Sequence, residues 1–222
     1  MSLKVSFRLL ITPHRSQRTQ KRELEDKVRP EDFFKPNLQV HEDAGVTVGT
    51  ASQVALLNSL AAAAAKSNAV IVGQVASAQA YLNSDKSNVY SEFTVRVDDV
   101  LKDDSYAHMI IGNSVVATRS GGRIRYPAGR VTLYFISGEG MPRVGRRYVL
   151  FLSRDEHESD YDIVTGYELH AGCVALLDNP GDGHPLTAYK GADETSFLSE
   201  VRAASANSPH RAGAAPNNPI LP

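Results

Sequence analysis

The sequence predicts an all-β domain: a small barrel of about seven strands, with one helix before it and one after. Three observations carry that prediction. Within RVGRRYVLFLSR (143–154), the run Tyr148 to Leu152 is unbroken apolar sequence, too short for a membrane span and the right length for a central strand. Val89, Ser91, Phe93, Val95 and Val97 alternate with Tyr90, Glu92, Thr94, Arg96 and Asp98, the period-two signature of a half-buried strand. Further short runs of strand formers recur up to Leu177, separated by Gly, Pro and Asp turns.

Composition sets the outer limits. A chain of 222 residues with 42% hydrophobic content and no tryptophan can bury one ordinary core and leave residues over for tails. The net charge of −1 gives the whole chain no electrostatic attraction to nucleic acid or an anionic membrane, so any such role requires a local patch. Cys173 is the single cysteine, which excludes an internal disulfide and leaves the redox compartment open. No segment reaches the roughly eighteen consecutive apolar residues of a transmembrane helix. The start, MSLKVSFRLLITPHR, is interrupted by Lys4 and Arg8 and lacks a small-residue cleavage site. The expected location is therefore cytoplasmic as the sequence stands, and exported if the true N-terminus carries a leader.

Residues 1–49 read as a charged, flexible arm: 13–36 are dense in charge, poor in aliphatics and broken by Pro30 and Pro36. Thr50 or Ser52 can cap a helix in which Val54, Leu57, Leu60, Ala61 and Ala64 recur at helical spacing, and its alanines suit close packing as a lid on one barrel end. Ala69 to Ala78 then opens the sheet, with Gly73 marking a bulge or bend. After the loop 83–88 comes the alternating strand, whose phase slips at Asp98 and Asp99 and so predicts a second bulge. Ile110 to Thr118 reads as the next strand, Gly121 and Gly122 as a tight reversal, and Arg123–Tyr126 and Arg130–Ile136 as two more. The central strand follows, then Tyr161–Leu169 and Cys173–Leu177, with 179–185 an irregular loop. Asp193 or Thr195 can cap a last helix bearing Phe197, Leu198 and Val201 on one side. The barrel domain thus spans 50–204, and 205–222 read as a disordered tail.

The succession AVIVGQVASA, FTVRVDDVLK, a GG turn and MPRVGRRYVLFL resembles a group of uncharacterised bacterial β-domains, themselves similar to small OB-like barrels of the tissue-inhibitor and netrin-module type. The resemblance covers about Asn58 to Asp178. It implies an OB-like β-barrel and, because its motifs are structural, no activity; members of the group are often exported.

The most uneven chemical feature is charge. Between Arg119 and Arg147 lie seven arginines against one acid, Glu139. If Arg119, Arg123, Arg125 and Arg130 share a barrel face, with Tyr126 and Tyr134 nearby and Arg146 following, that face offers planar donors for carboxylate, sulfate or phosphate. The same outline fits an OB-type groove for single-stranded nucleic acid. Cross-strand ion pairs or protection of a sheet edge would use the same residues. For nucleophilic chemistry the candidates are Cys173, His170 and His184. His170 and Cys173 are three apart, which in one extended strand puts them on opposite faces unless Gly172 bends the chain. His41, Glu42 and Asp43 are adjacent rather than spaced, and His157 stands between Glu156 and Glu158 on a turn, so neither group has metal-ligand spacing. P-loop and dinucleotide fingerprints are absent, and no cofactor is expected. The expected function is a non-enzymatic binding module meeting a protein or an anionic polymer through the arginine-bearing face. The alternatives are a hydrolase-like enzyme using Cys173, His170 or His184, and single-strand nucleic-acid binding.

Overall fold

The computed structural model describes residues 45–49, 54–83, 88–104, 108–126, 129, 131–154 and 160–208. Nine strands fall among them: β1 (Gly45–Gly49), β2 (Ala69–Leu82), β3 (Val89–Asp103), β4 (Ser114–Ser120), β5 (Gly122–Arg125), β6 (Val131–Ile136), β7 (Arg147–Ser153), β8 (Tyr161–His170) and β9 (Cys173–Leu176). Helices α1 (Leu60–Lys66) and α2 (Glu194–Ala206) flank the main sheet in sequence.

The main sheet runs β4-β3-β2-β7-β8-β9, and β4 curls round to meet β8 in parallel. That meeting is limited to the pairs Ala117–Tyr161 and Thr118–Asp162, so the barrel is not closed along its length. The Thr118 hydroxyl fastens the seam by donating to the Asp162 carboxylate at 2.6 Å. Five strands with one partly open seam are the OB architecture. The expected count of about seven strands in one barrel divides differently. Strands β5 and β6 leave the barrel and form a separate sheet of order β1-β6-β5, in which β1, from the stretch read as a flexible arm, lies parallel to β6.

Strand β7 sits at the middle of the wall, and all five residues from Tyr148 to Leu152 are buried. The reason is that both faces of the wall are covered. Ile71, Phe93, Val95, Leu150, Leu152 and Ile163 fill the barrel interior. Val70, Val72, Val149, Phe151, Tyr167 and Leu169 point outward into a second core with Leu60, Ala63, Ala64, Phe197 and Val201 of the helices. A doubly covered strand has no solvent face, which is why its sequence is continuous rather than alternating. The helix expected as a lid on the barrel end therefore lies against the outer wall instead. It also begins later: Ser59 caps it, accepting from the Ala62 amide at 3.0 Å, while Thr50 and Ser52 lie outside the described residues. Its C-terminal end is held by buried Lys102, whose ammonium donates to the carbonyls of Ala64 at 2.8 Å and Ser67 at 2.9 Å. A cation there satisfies orphan carbonyls and opposes the helix dipole.

The two predicted irregularities meet at one bulge, one of three register shifts between β2 and β3. Val97 pairs with Gly73 and Asp99 with Val72, leaving Asp98 as the extra residue of a bulge. A side chain at Gly73 would meet the Arg96 carbonyl at 2.6 Å and Val95 Cγ1 at 2.7 Å, so glycine is required by the close approach of β3. The strand expected from Ile110 starts only at Ser114. Residues 110–113 form a turn whose ends are tied to β3, with Gly112 donating to Val97 and Val97 to Asn113, each at 2.8 Å. Backbone bonds to a distant strand outweigh the β-propensity of the two isoleucines.

Candidate functional site

The arginines gathered by the sequence part into three environments. Arg119 sits on β4 opposite buried Ser91, in phase with Ala117, and points into the barrel with 2% of its side chain exposed. It lies 2.8 Å from Asp178 and 3.5 Å from Glu139 and donates to the Gly140 carbonyl at 2.7 Å. Asp178 is equally enclosed and also accepts from the Gly140 amide at 2.9 Å and the Thr165 hydroxyl at 2.7 Å. This is an internal clamp joining β4, β8 and the β6–β7 loop, and it does not share a surface with the other arginines.

Arg146 belongs to a second group at the entry of β7, with Arg143 and Arg147. Buried Glu168 is its centre: Arg143 donates to it at 2.7 Å, Arg146 Nε lies 3.6 Å away, and the Tyr148 hydroxyl donates at 3.3 Å. Donating a hydrogen bond to Glu168 raises the Arg143 guanidinium above its ordinary value, and burial raises the Tyr148 phenol above the usual tyrosine range. Arg147 turns the other way, to Glu194 at 2.6 Å and Asp98 at 3.7 Å. Charge here is matched by charge, which fixes the β7 entry to β8 and α2.

The third environment is β5. Ile124 is buried beside Ala80 and Val89, which by alternation turns Arg123 and Arg125 to the opposite face, Arg123 half-buried and Arg125 exposed. Tyr126 follows, and both it and Tyr134 pack against the same small apolar cluster. Arg130 lies outside the described residues. Arg96, Arg119, Arg143, Arg146, Arg147 and Arg202 all have carboxylate partners within 4.0 Å. Arg123 and Arg125 have none among the described residues.

His170 and Cys173 were expected on opposite faces unless Gly172 bends the chain, and it does. Ala171 and Gly172, at φ 52° and 76°, form a two-residue hairpin turn, so His170 and Cys173 are directly opposed across β8 and β9 and share a face. Both are exposed, and Arg146 Nη1 is 3.2 Å from His170 Nδ1. His184 is not brought to them as a free base: its Nδ1 accepts from the Leu186 amide at 3.3 Å. Among the described residues no group of three or more His, Cys, Asp or Glu could hold a metal ion. His41, Glu42, Asp43, Glu156, His157 and Glu158 lie outside those residues. No described helix is long and apolar enough to cross a membrane.

Sequence reasoning missed the carboxylates Asp178, Glu168 and Glu194, each far along the chain from the arginine it meets. The fold and this arrangement define a class, an OB-type barrel with an internal ion-pair clamp and a small arginine-bearing side sheet. No family model and no curated protein matches the chain.

Proposed function

We propose that the chain is a non-enzymatic binding module that meets an anionic partner through Arg123 and Arg125 on β5. The observation that carries the reading is their lack of a carboxylate partner among the described residues, where six other arginines have one. A half-exposed guanidinium without an internal anion remains available for a carboxylate, sulfate or phosphate from outside. The test is fluorescence anisotropy of the protein against a sulfated polysaccharide and a short single-stranded oligonucleotide at two salt concentrations. Salt-sensitive binding lost in Arg123→Glu/Arg125→Glu supports the reading; no binding to any anionic ligand at low salt removes it. We further propose kinship with the bacterial β-domain group, supported by the strand order and by the motif-bearing strands β2, β3 and β7 adjoining in the barrel wall.

The outer face of β3 and β4, which OB barrels use for oligonucleotides, lends the nucleic-acid reading no support. It presents Tyr90, Glu92, Thr94, Arg96 and Asp98 with Ser114, Val116, Thr118 and Ser120, and its one arginine is 3.1 Å from Asp98. The enzymatic alternative has one observation in its favour, the facing of His170 and Cys173. It predicts that His170→Gln slows alkylation of Cys173 by iodoacetamide at neutral pH. An unchanged rate eliminates it.

A further inference from the structure

We infer that the edge of β5 left unpaired among the described residues docks an extended acidic segment of a protein partner, which joins the small sheet as an added strand with carboxylates facing Arg123 and Arg125. This names the partner class for the anionic-partner reading and rests on it.

Edge β9 is covered: Val174 donates to Ala192 at 3.0 Å, Gly191 donates to Val174 at 2.8 Å, and Cys173 bridges Asp193. Edge β4 curls onto β8. The sheet β1-β6-β5 has two outer strands, each paired only with β6 among the described residues. Of these, β1 reads GVTVG and carries no charge, whereas β5 reads GRIR. An edge strand turns the N–H and C=O of every second residue outward, a template for an incoming strand. Specificity then comes from alternate side chains. Arg123 and Arg125 are two residues apart, hence about 6.6 Å along the strand, the spacing of alternate side chains on a paired strand. A polysaccharide or a phosphate backbone could engage the guanidinium groups but not the amide ladder. An acidic strand engages both.

Charged side chains also protect an edge from self-pairing, and charge reversal separates the two roles because glutamates protect as well as arginines. The full-length protein is titrated, at two salt concentrations, into three fluorescein-labelled seven-residue peptides. One alternates Glu with Val, one is the same peptide N-methylated at alternate residues, and one alternates Lys with Val. Strand addition predicts binding of the first peptide, at least tenfold weaker binding of the N-methylated one, and slowed amide exchange over Gly122–Arg125. It further predicts that Arg123→Glu/Arg125→Glu loses the acidic peptide at least tenfold and gains the lysine peptide. The N-methylated comparison uses the unaltered protein, so it stands whatever the variant's stability. Equal binding of the N-methylated peptide overturns strand addition. So does binding of sulfated polysaccharide without the acidic peptide, an outcome that leaves the broader anionic-partner reading intact. Failure of every anion overturns both.

Discussion

Arg119→Met tests whether the buried cation inside the barrel is structural. The substitution removes the cation 2.8 Å from Asp178, a carboxylate that is 3% exposed, and leaves it with the Gly140 amide and the Thr165 hydroxyl as partners. Breaking a buried pair from one side costs about 3–5 kcal/mol, because the remaining charge stays out of water. The two surviving hydrogen bonds place the expected loss near the lower end, about 3 kcal/mol. With a urea m-value of about 2 kcal/mol/M, the midpoint should fall by about 1.5 M. Arg119→Met combined with Asp178→Asn removes the orphaned charge while keeping an oxygen that accepts from Gly140. The double variant should therefore return to within about 1 kcal/mol of the parent, so the coupling in the cycle exceeds the cost of Asp178→Asn alone by about 2 kcal/mol. Urea unfolding followed by far-UV circular dichroism at neutral pH gives all four values. A midpoint shift under about 0.5 M for the single variant, or purely additive effects, would refute the clamp. Loss of anion binding without loss of stability would instead make Arg119 a ligand contact.

Three further expectations are open to direct measurement. Burial raises the phenols of Tyr148 and Tyr167 above their ordinary value, so their contribution is complete below about pH 10 and declines as pH rises toward the folded values; Tyr167→Phe should flatten the alkaline fall of stability by about 1.4 kcal/mol per pH unit, about 0.7 M in the urea midpoint, and an unchanged slope would exclude the effect. Ala171 adopts φ 52° in the β8–β9 turn, where Asn followed by Gly is the favoured pair, so Ala171→Asn should stabilise by about 0.5–1 kcal/mol in the same assay. Gly73→Ala should destabilise by about 2–3 kcal/mol, since the added carbon meets the Arg96 carbonyl 2.6 Å away in mid-ladder, and a neutral result would mean that β2 and β3 can separate there without penalty.

What the sequence showed of the fold was local. Alternation located β3, the glycine and the phase slip together located one of the three bulges between β2 and β3, and Asp193 proved to cap α2, accepting from the Ser196 amide at 2.9 Å. What it missed depended on distant partners. Ile110 and Ile111 read as strand, yet bonds to Val97 hold them in a turn with 59% and 61% of their surface exposed. The arginine cluster read as one face because its acids are remote in the chain: Glu168 lies 25 positions from Arg143 and Glu194 lies 47 from Arg147.

Strand phase nevertheless offered a finer signal than charge density did. Val115, Ala117 and Arg119 share one parity on β4, and their partners Val95, Phe93 and Ser91 are all buried. An arginine in step with apolar neighbours is carried to their side of the sheet, where an unpaired charge would be costly, so a carboxylate must come to meet it. Arg123 and Arg125 are out of step with Ile124, which puts them on the far side from the apolar cluster and demands no internal partner. Parity therefore separates the arginine in step with apolar neighbours, which is buried and paired, from the two out of step with Ile124, which have no carboxylate partner among the described residues.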